Sequence, residues 1–135
     1  MIFKTGDTFI ENFTINNGIY QGFINIFKDN NPLHTNHEFA TYNGFKGIVM
    51  HGNILNGFIS YFIGEKLPTK DVIIHSQEIK YTNAVYLNDE LFFNAEVIGI
   101  YDSVKAVEFK FHFKNEEAKV VSKGKFQIGL LKWIY

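Results

Sequence analysis

The chain has 135 residues, of which 46% are hydrophobic and 17% aromatic, so it is long and apolar enough for one folded domain and is not an intrinsically disordered protein. Its net charge is −1 and it contains no basic run, so nucleic acid is not an expected partner. It has no cysteine, which excludes disulfides, thiol catalysis and thiolate metal sites.

The first ten residues are too polar for a signal peptide, and no apolar stretch approaches about 18 residues. We therefore expect neither a signal peptide nor a membrane span, and a cytoplasmic location. No repeat, low-complexity segment or linker interrupts the chain. The expected organisation is one domain over residues 1–135.

The first half of the chain predicts one strand followed by helices. Residues 7–14 are typical of a short strand, and Asn16-Asn17-Gly18 is a turn signal. Helical spacing of apolar side chains then predicts a short helix over residues 18–27, and a second short helix is expected over 37–42, ending at Gly44. The apolar side chains that define the first of these helices are Ile19, Phe23, Ile26 and Phe27.

Residues 51–64 form the strongest predicted helix. It has one apolar face, and a second face of small or polar side chains that either permits close backbone approach or lines a site. Gly64 and Pro68 mark its end. The apolar face consists of Ile54, Leu55, Phe58, Ile59 and Phe62, and the second face of Asn53, Asn56, Gly57, Ser60 and Gly64.

After this helix the pattern changes to the two-residue period of β-strands, over residues 72–82, 90–101, 104–114 and about 118–132. The alternation is cleanest in 104–114, where one face is apolar and the other polar. The apolar face there carries Val107, Phe109, Phe111 and Phe113, and the polar face Glu108, Lys110, His112 and Lys114. Short turns join these strands, which predicts an α+β domain with an antiparallel sheet covered on one face by a helix.

An acid and an imidazole, Asp29 and His34, lie five residues apart in the stretch Asp-Asn-Asn-Pro-Leu-His. Pro32 fixes its own φ and pushes Asn31 out of the α region, so we expect no regular helix here. Asp-x-Asn-Pro is also ordinary turn chemistry, because Asp and Asn bond nearby backbone. Two groups that exchange protons near neutral pH at short separation could bind a water and pass its proton on.

Seventeen residues after His34, the pair His51-Gly52 opens the predicted helix 51–64. A glycine at a helix start offers a free backbone N–H, which suits a developing oxyanion. It also has no Cβ, so it either lets a substrate come close or only permits tight packing.

These features resemble the MaoC-like dehydratases, the (R)-specific enoyl-thioester hydratases of the hot-dog fold. The hallmark of that family is Asp-x-Asn-Pro-(aliphatic)-His, followed at near-fixed distance by (aliphatic)-x-His-Gly and a helix. Residues 29–34 match the first part, and Ile48, His51 and Gly52 match the second. The likeness continues through Ser60 and Ser76-Gln77 to Asp89-Glu90-Leu91. It implies a single hot-dog domain, with an antiparallel β-sheet wrapped around a central α-helix.

The resemblance also implies a reaction. Asp29 and His34 would hold one water against the β-carbon of a trans-2-enoyl thioester, and a proton would reach the α-carbon on the same face. The product would be an (R)-3-hydroxyacyl thioester, and the reverse reaction a dehydration. Which group is the base for which proton stays open, because a coupled pair titrates jointly.

Further roles follow from the same resemblance. Gly52 would donate its N–H to the enolate oxygen, a contribution of about 3–4 kcal/mol in comparable acyl chemistry. Ser60 would orient the acid–base pair, with plain helix packing as the alternative. Asn31 would brace the loop, because an amide does not exchange protons usefully. His51 would cap or pack at the helix start or orient the loop, with a direct chemical role as the other alternative.

No metal and no other cofactor is expected. His34, His37 and His51 are close in sequence, but their spacing matches no familiar ligand pattern, and the reaction needs none. His75 and His112 lie in strand patterns and are interpreted as structural.

The expected partners are an acyl-CoA or acyl-carrier-protein thioester and a second copy of the chain, because family members of this size usually form homodimers. One alternative keeps the fold and makes the protein a hot-dog acyl thioesterase. Those enzymes generally carry a carboxylate on or near the central helix, whereas residues 51–64 contain no Asp or Glu. The other alternative is a non-catalytic acyl-thioester binding subunit, although a pure binder has no reason to keep both Asp29 and His34.

Overall fold

A computed structural model describes residues 1–132. One strand is followed by a helical region and then by four strands, as the sequence predicts. In chain order they are β1 (Thr8–Thr14), α1 (Asn17–Phe27), α2 (Pro32–Thr35), α3 (His37–Tyr42), α4 (Asn53–Tyr61), a π-helical segment (Phe62–Lys66), β2 (Val72–Tyr81), β3 (Glu90–Tyr101), a 3₁₀ turn (Asp102–Val104), β4 (Ala106–Lys114) and β5 (Val120–Leu130).

Two caps delimit α1. At its start, the Asn16 side chain accepts a hydrogen bond from the backbone N–H of Ile19 at 2.9 Å. At its end, Lys28 adopts the left-handed conformation, with φ of 62°, and donates its backbone N–H to Ile24 at 2.8 Å. This reversal releases the chain into the loop that carries Asp29.

The expectation that Pro32 prevents a helix in this stretch is wrong. Asn31 is extended, with φ of −52° and ψ of 135°, and its side chain accepts from the backbone N–H of Leu33 at 3.0 Å. Pro32 is the first residue of α2, a position where a helix tolerates proline because the missing N–H would have no intrahelical acceptor anyway. The proline thus sets where the helix starts.

The helix predicted over 51–64 begins at Asn53, with Gly52 as its N-cap. After Tyr61 it continues as the π-helical segment. Two consecutive side chains of this segment, Phe62 and Ile63, lie buried in the core. The chain becomes extended at Leu67, directly before Pro68.

The five strands form one antiparallel sheet in the order β1-β3-β4-β5-β2. The alternation predicted for 104–114 is present in β4, which starts two residues late because residues 102–104 form the 3₁₀ turn. The last strand likewise starts at Val120, after a turn in which Ala118 has a φ of 61°.

The inner face of the sheet packs around α4 and the π-helical segment. Phe62 lies fully buried at the centre of this core, with its ring centroid 5.0 Å from that of Phe93 and 5.8 Å from that of Phe9. The predicted α+β sheet wrapped around a central helix is therefore confirmed. Within residues 1–132, no helix combines the length and the apolar character that a membrane crossing requires.

Candidate active site

Asp29 lies in the exposed loop between α1 and α2. Its carboxylate accepts a hydrogen bond from the backbone N–H of Asn31 at 3.1 Å. The hydroxyl of Thr35 donates to the carbonyl oxygens of Asn30 and Asn31, each at 3.1 Å. These local bonds give the loop a defined shape.

His34 lies in α2 and is held at both its ring and its backbone. Its Nδ1 lies 2.6 Å from the carbonyl oxygen of Val49, and its own carbonyl accepts a hydrogen bond from the hydroxyl of Tyr20. A carbonyl can only accept, so Nδ1 carries a proton and a neutral ring leaves Nε2 as an acceptor. The surroundings of Tyr20 are apolar enough that burial raises the pKa of its hydroxyl, which keeps it a donor near neutral pH.

His51 is 2% exposed and contacts both Asp29 and His34. Its Nε2 donates to the backbone carbonyl of Asp29 at 3.0 Å, and its ring stacks on that of His34 with 4.0 Å between centroids. Phe23 packs at 4.6 Å from the His51 ring centroid. The His51 Nδ1 finds no hydrogen-bond partner among residues 1–132. These contacts support the interpretation of His51 as a residue that orients the loop, and this role stays a prediction.

The three side chains converge, because a carboxylate oxygen of Asp29 and one ring nitrogen each of His34 and His51 all lie within 4.8 Å of one another. The two imidazoles are nearly parallel, with an interplanar angle of 29°. Nδ1 of His34 and Nε2 of His51 are already bonded to backbone carbonyl oxygens, so a metal ion bound by all three residues would have to use the other nitrogen of each ring or replace these bonds.

Gly52 faces the same region from the start of α4. Its φ of −58° and ψ of −35° are helical, and within residues 1–132 no protein acceptor takes its N–H. The N–H is therefore available at the positive end of the helix dipole, which favours an anion. Gly52 and His34 line one pocket of about 560 Å³, together with Val49, Leu55 and Tyr81 among others.

A second pocket of about 890 Å³ adjoins the first, because Asn53 lines both. Asp29 lies at its edge, and its walls come from α1 and α4. These walls are mostly apolar and include Ile19, Phe23, Ile26, Phe27 and Phe58. Asp29 thus lines the apolar groove, and its carboxylate lies within 4.8 Å of a ring nitrogen of His34, which lines the other pocket.

Two predicted site residues lie outside this convergence. Asn31 caps α2 through Leu33, consistent with a loop brace. Ser60 lies exposed near the end of α4, and none of the hydrogen bonds described for residues 1–132 joins it to Asp29 or His34. Its orienting role stays a prediction.

Tyr81, the last residue of β2, is a site residue that the sequence did not reveal. Its ring lies against Gly52, and its hydroxyl is bonded to Asn56 at 3.1 Å and Asn53 at 3.5 Å. Burial raises the pKa of the Tyr81 hydroxyl, partly offset by the hydrogen bond with Asn56. Only its aromatic character at the end of a strand pattern distinguished it, a signal that core residues share.

Comparison with known proteins identifies the family. Residues 12–120 match the model of the MaoC like domain. An (R)-specific enoyl-CoA hydratase of Rhodospirillum rubrum is 32% identical over 88 residues, which cover 65% of this chain and 61% of that protein. A mitochondrial 3-hydroxyacyl-[acyl-carrier-protein] dehydratase of Arabidopsis thaliana is 25% identical over 126 residues, which cover 91% of this chain and 75% of that protein.

Solved structures show the same fold. The R-hydratase PhaJ1 of Pseudomonas aeruginosa superposes with a TM-score of 0.85 at 26% identity, over 95% of this chain and 82% of that chain. The (R)-hydratase of A. caviae involved in PHA biosynthesis gives a TM-score of 0.87 at 21% identity, over 95% and 97% of the two chains. The chain therefore belongs to the MaoC-like domain family and has its hot-dog fold.

Proposed function

We propose that the protein is a hydro-lyase that catalyses the reversible (R)-specific hydration of trans-2-enoyl thioesters to (R)-3-hydroxyacyl thioesters. The observation that carries this proposal is the convergence of Asp29 and His34 beside the free N–H of Gly52. The names of the relatives support it, since they include enoyl-CoA hydratases and a hydroxyacyl dehydratase.

The acid–base pair supplies the proton chemistry. A water bound between the Asp29 carboxylate and the Nε2 of His34 loses one proton to the pair as its oxygen adds to the β-carbon. The pair returns a proton to the α-carbon, so the net change is addition of H and OH across one double bond. Both groups lie on one side of the substrate, which places both additions on the same face.

Gly52 stabilises the charge that this addition creates. Electron density moves from the β-carbon through the α-carbon to the thioester oxygen, which becomes an enolate oxygen. The amide N–H at the start of α4 donates to that oxygen, and the dipole of the nine-residue helix adds to the effect.

The apolar groove between α1 and α4 would take the acyl chain. Ile26 and Phe27 on its wall are 72% and 66% exposed, and such large apolar side chains favour cover by a ligand or by another subunit. We propose an acyl-CoA or acyl-carrier-protein thioester as substrate and a homodimer as the working form. Sedimentation as a monomer at micromolar concentration would contradict the dimer. A cytoplasmic location is part of the same proposal, and cell fractionation tests it.

Hydration of trans-2-enoyl-CoA esters of increasing chain length, followed by the loss of enoyl absorbance and by chiral analysis of the product, tests the function. Asp29→Asn should lower kcat by about 10²–10⁴-fold, because a carboxamide cannot exchange the proton. His34→Ala should lower kcat by a similar factor. The fold should survive Asp29→Asn, since the new amide oxygen still accepts from the backbone of Asn31.

Asp7→Asn is the matched control. Asp7 also uses its carboxylate in a local turn, where it accepts from the backbone N–H of Lys4 at 2.8 Å, but it lies before β1, away from the pocket lining. It should leave turnover unchanged. Equal activity of Asp29→Asn and wild type would end the assignment. Release of free thiol from saturated acyl-CoA would show a thioesterase instead, and binding of enoyl-CoA without loss of absorbance would show a binding subunit.

A further inference from the structure

We propose that Tyr81 is a specificity-determining residue, whose ring excludes substrates that are branched at the carbon next to the thioester carbonyl. This inference rests on the proposed function and extends it to the shape of the acyl group. Tyr81 is outside the acid–base pair. It is the last residue of β2 and comes 29 positions after Gly52 in the chain.

The Tyr81 ring is in direct contact with Gly52. A Cβ added to Gly52 would lie 2.7 Å from Cε1 of Tyr81, 2.9 Å from Cζ and 3.1 Å from Cδ1. The face of the ring at Cε1 therefore lies where a side chain at residue 52 would begin, and the space between the ring and Gly52 is too small for a methyl group. Tyr81 lines the pocket that also contains His34 and Gly52.

The Tyr81 ring also lies close to where the reacting atoms of the substrate would bind. If the thioester oxygen accepts the N–H of Gly52, the carbonyl carbon lies within one bond of that oxygen. A substituent on the adjacent carbon then projects beside Gly52, in the region that the Tyr81 ring borders. An unbranched, planar enoyl thioester fits beside the Tyr81 ring, whereas a methyl branch at that carbon would clash with it.

A half-exposed ring can exclude a branched substrate only if it is held in one position. Tyr81 is 49% exposed, yet its hydroxyl is bonded to Asn56 at 3.1 Å and to Asn53 at 3.5 Å. Asn56 in turn donates to Asn53 at 2.8 Å and accepts from Gln77. This chain of amides links α4 to β2 and holds the ring over Gly52.

The test compares kcat/KM for the best unbranched trans-2-enoyl-CoA with that for its 2-methyl analogue. In Tyr81→Ala the ratio of branched to unbranched kcat/KM should rise at least about tenfold, the discrimination that one methyl group gives in a tight pocket. Tyr81→Phe keeps the ring and should raise the ratio far less. Tyr81→Leu, which retains apolar volume, replaces Tyr81→Ala if the alanine variant does not fold.

Tyr101→Ala is the matched control. Tyr101 is also about half exposed, and its ring also lies over a glycine, Gly99, but it is outside the pocket lining. Its ratio should equal that of wild type. An unchanged ratio in a folded Tyr81→Ala or Tyr81→Leu variant that still hydrates the unbranched substrate overturns this inference alone. Failure of wild type to hydrate any enoyl-CoA ends the proposed function, and this inference with it.

Discussion

Gly52→Ala is the sharpest single perturbation of the site. The new methyl would lie 2.7 Å from the Tyr81 ring, against about 3.4 Å for an ordinary contact, so the ring must retreat by the difference of about 0.7 Å. Tyr81 is half exposed and can move outward, at the loss of its hydroxyl bond with Asn56 at 3.1 Å; the contact with Asn53, at 3.5 Å, is too long to contribute much.

The net effect on stability should be small. One lost hydrogen bond costs about 0.5–1.5 kcal/mol. The helical φ and ψ of Gly52 suit alanine, whose smaller unfolded-state entropy returns about 0.4–1 kcal/mol. The free energy of unfolding should thus change by less than about 1 kcal/mol, which moves the Tm by only a few degrees.

Turnover should fall much further, because the methyl and the displaced Tyr81 ring crowd the amide that we propose holds the enolate oxygen. The N–H itself remains, but a thioester pushed away from it loses that hydrogen bond, and loss of one such bond reduces kcat by about 10²–10³-fold. We would measure kcat for enoyl-CoA hydration and the Tm of the same preparations. Gly64→Ala is the control, since a Cβ there meets nothing within 4 Å. A Gly52→Ala enzyme with a kcat within threefold of wild type would refute the placement of the thioester at this amide.

Two further predictions concern the sheet. In Gly124→Ala the added methyl would collide with the backbone of Glu78 on β2, which cannot move without loss of β2–β5 pairing, so urea denaturation should show a loss of at least about 2 kcal/mol. Gly64→Ala again serves as its control, and an equally stable Gly124→Ala would contradict the tight approach of these strands. Burial, together with the nearby charges of Lys114 and Lys110, lowers the pKa of His112. The His112 imidazole therefore binds a proton more readily in the unfolded chain than in the folded one. The free energy of unfolding should thus fall as the pH drops below about 6.5. His112→Gln should remove that component when unfolding free energies are compared over about pH 5–8, and identical pH profiles would argue against it.

Local patterns in the sequence were sufficient for most of the fold. The predicted strands 7–14 and 90–101 and the helix 37–42 match β1, β3 and α3 to within one residue, because alternation and helical spacing report which face of an element is buried. The errors lie at element ends. Pro32 was expected to exclude a helix that it in fact begins, and the helix after Gly52 changes to π-helical turns at Phe62.

The sequence by itself determined the candidate chemistry, through the resemblance carried by Asp29, His34 and Gly52 and through the absence of cysteine. Only the tertiary structure decided how these groups are supported. His51 reaches Asp29 across 22 positions, and Tyr81 reaches Gly52 across 29. Such contacts depend on how α4 packs against the loop and β2. The spacing of residues along the chain does not predict these distances, because they result from tertiary packing.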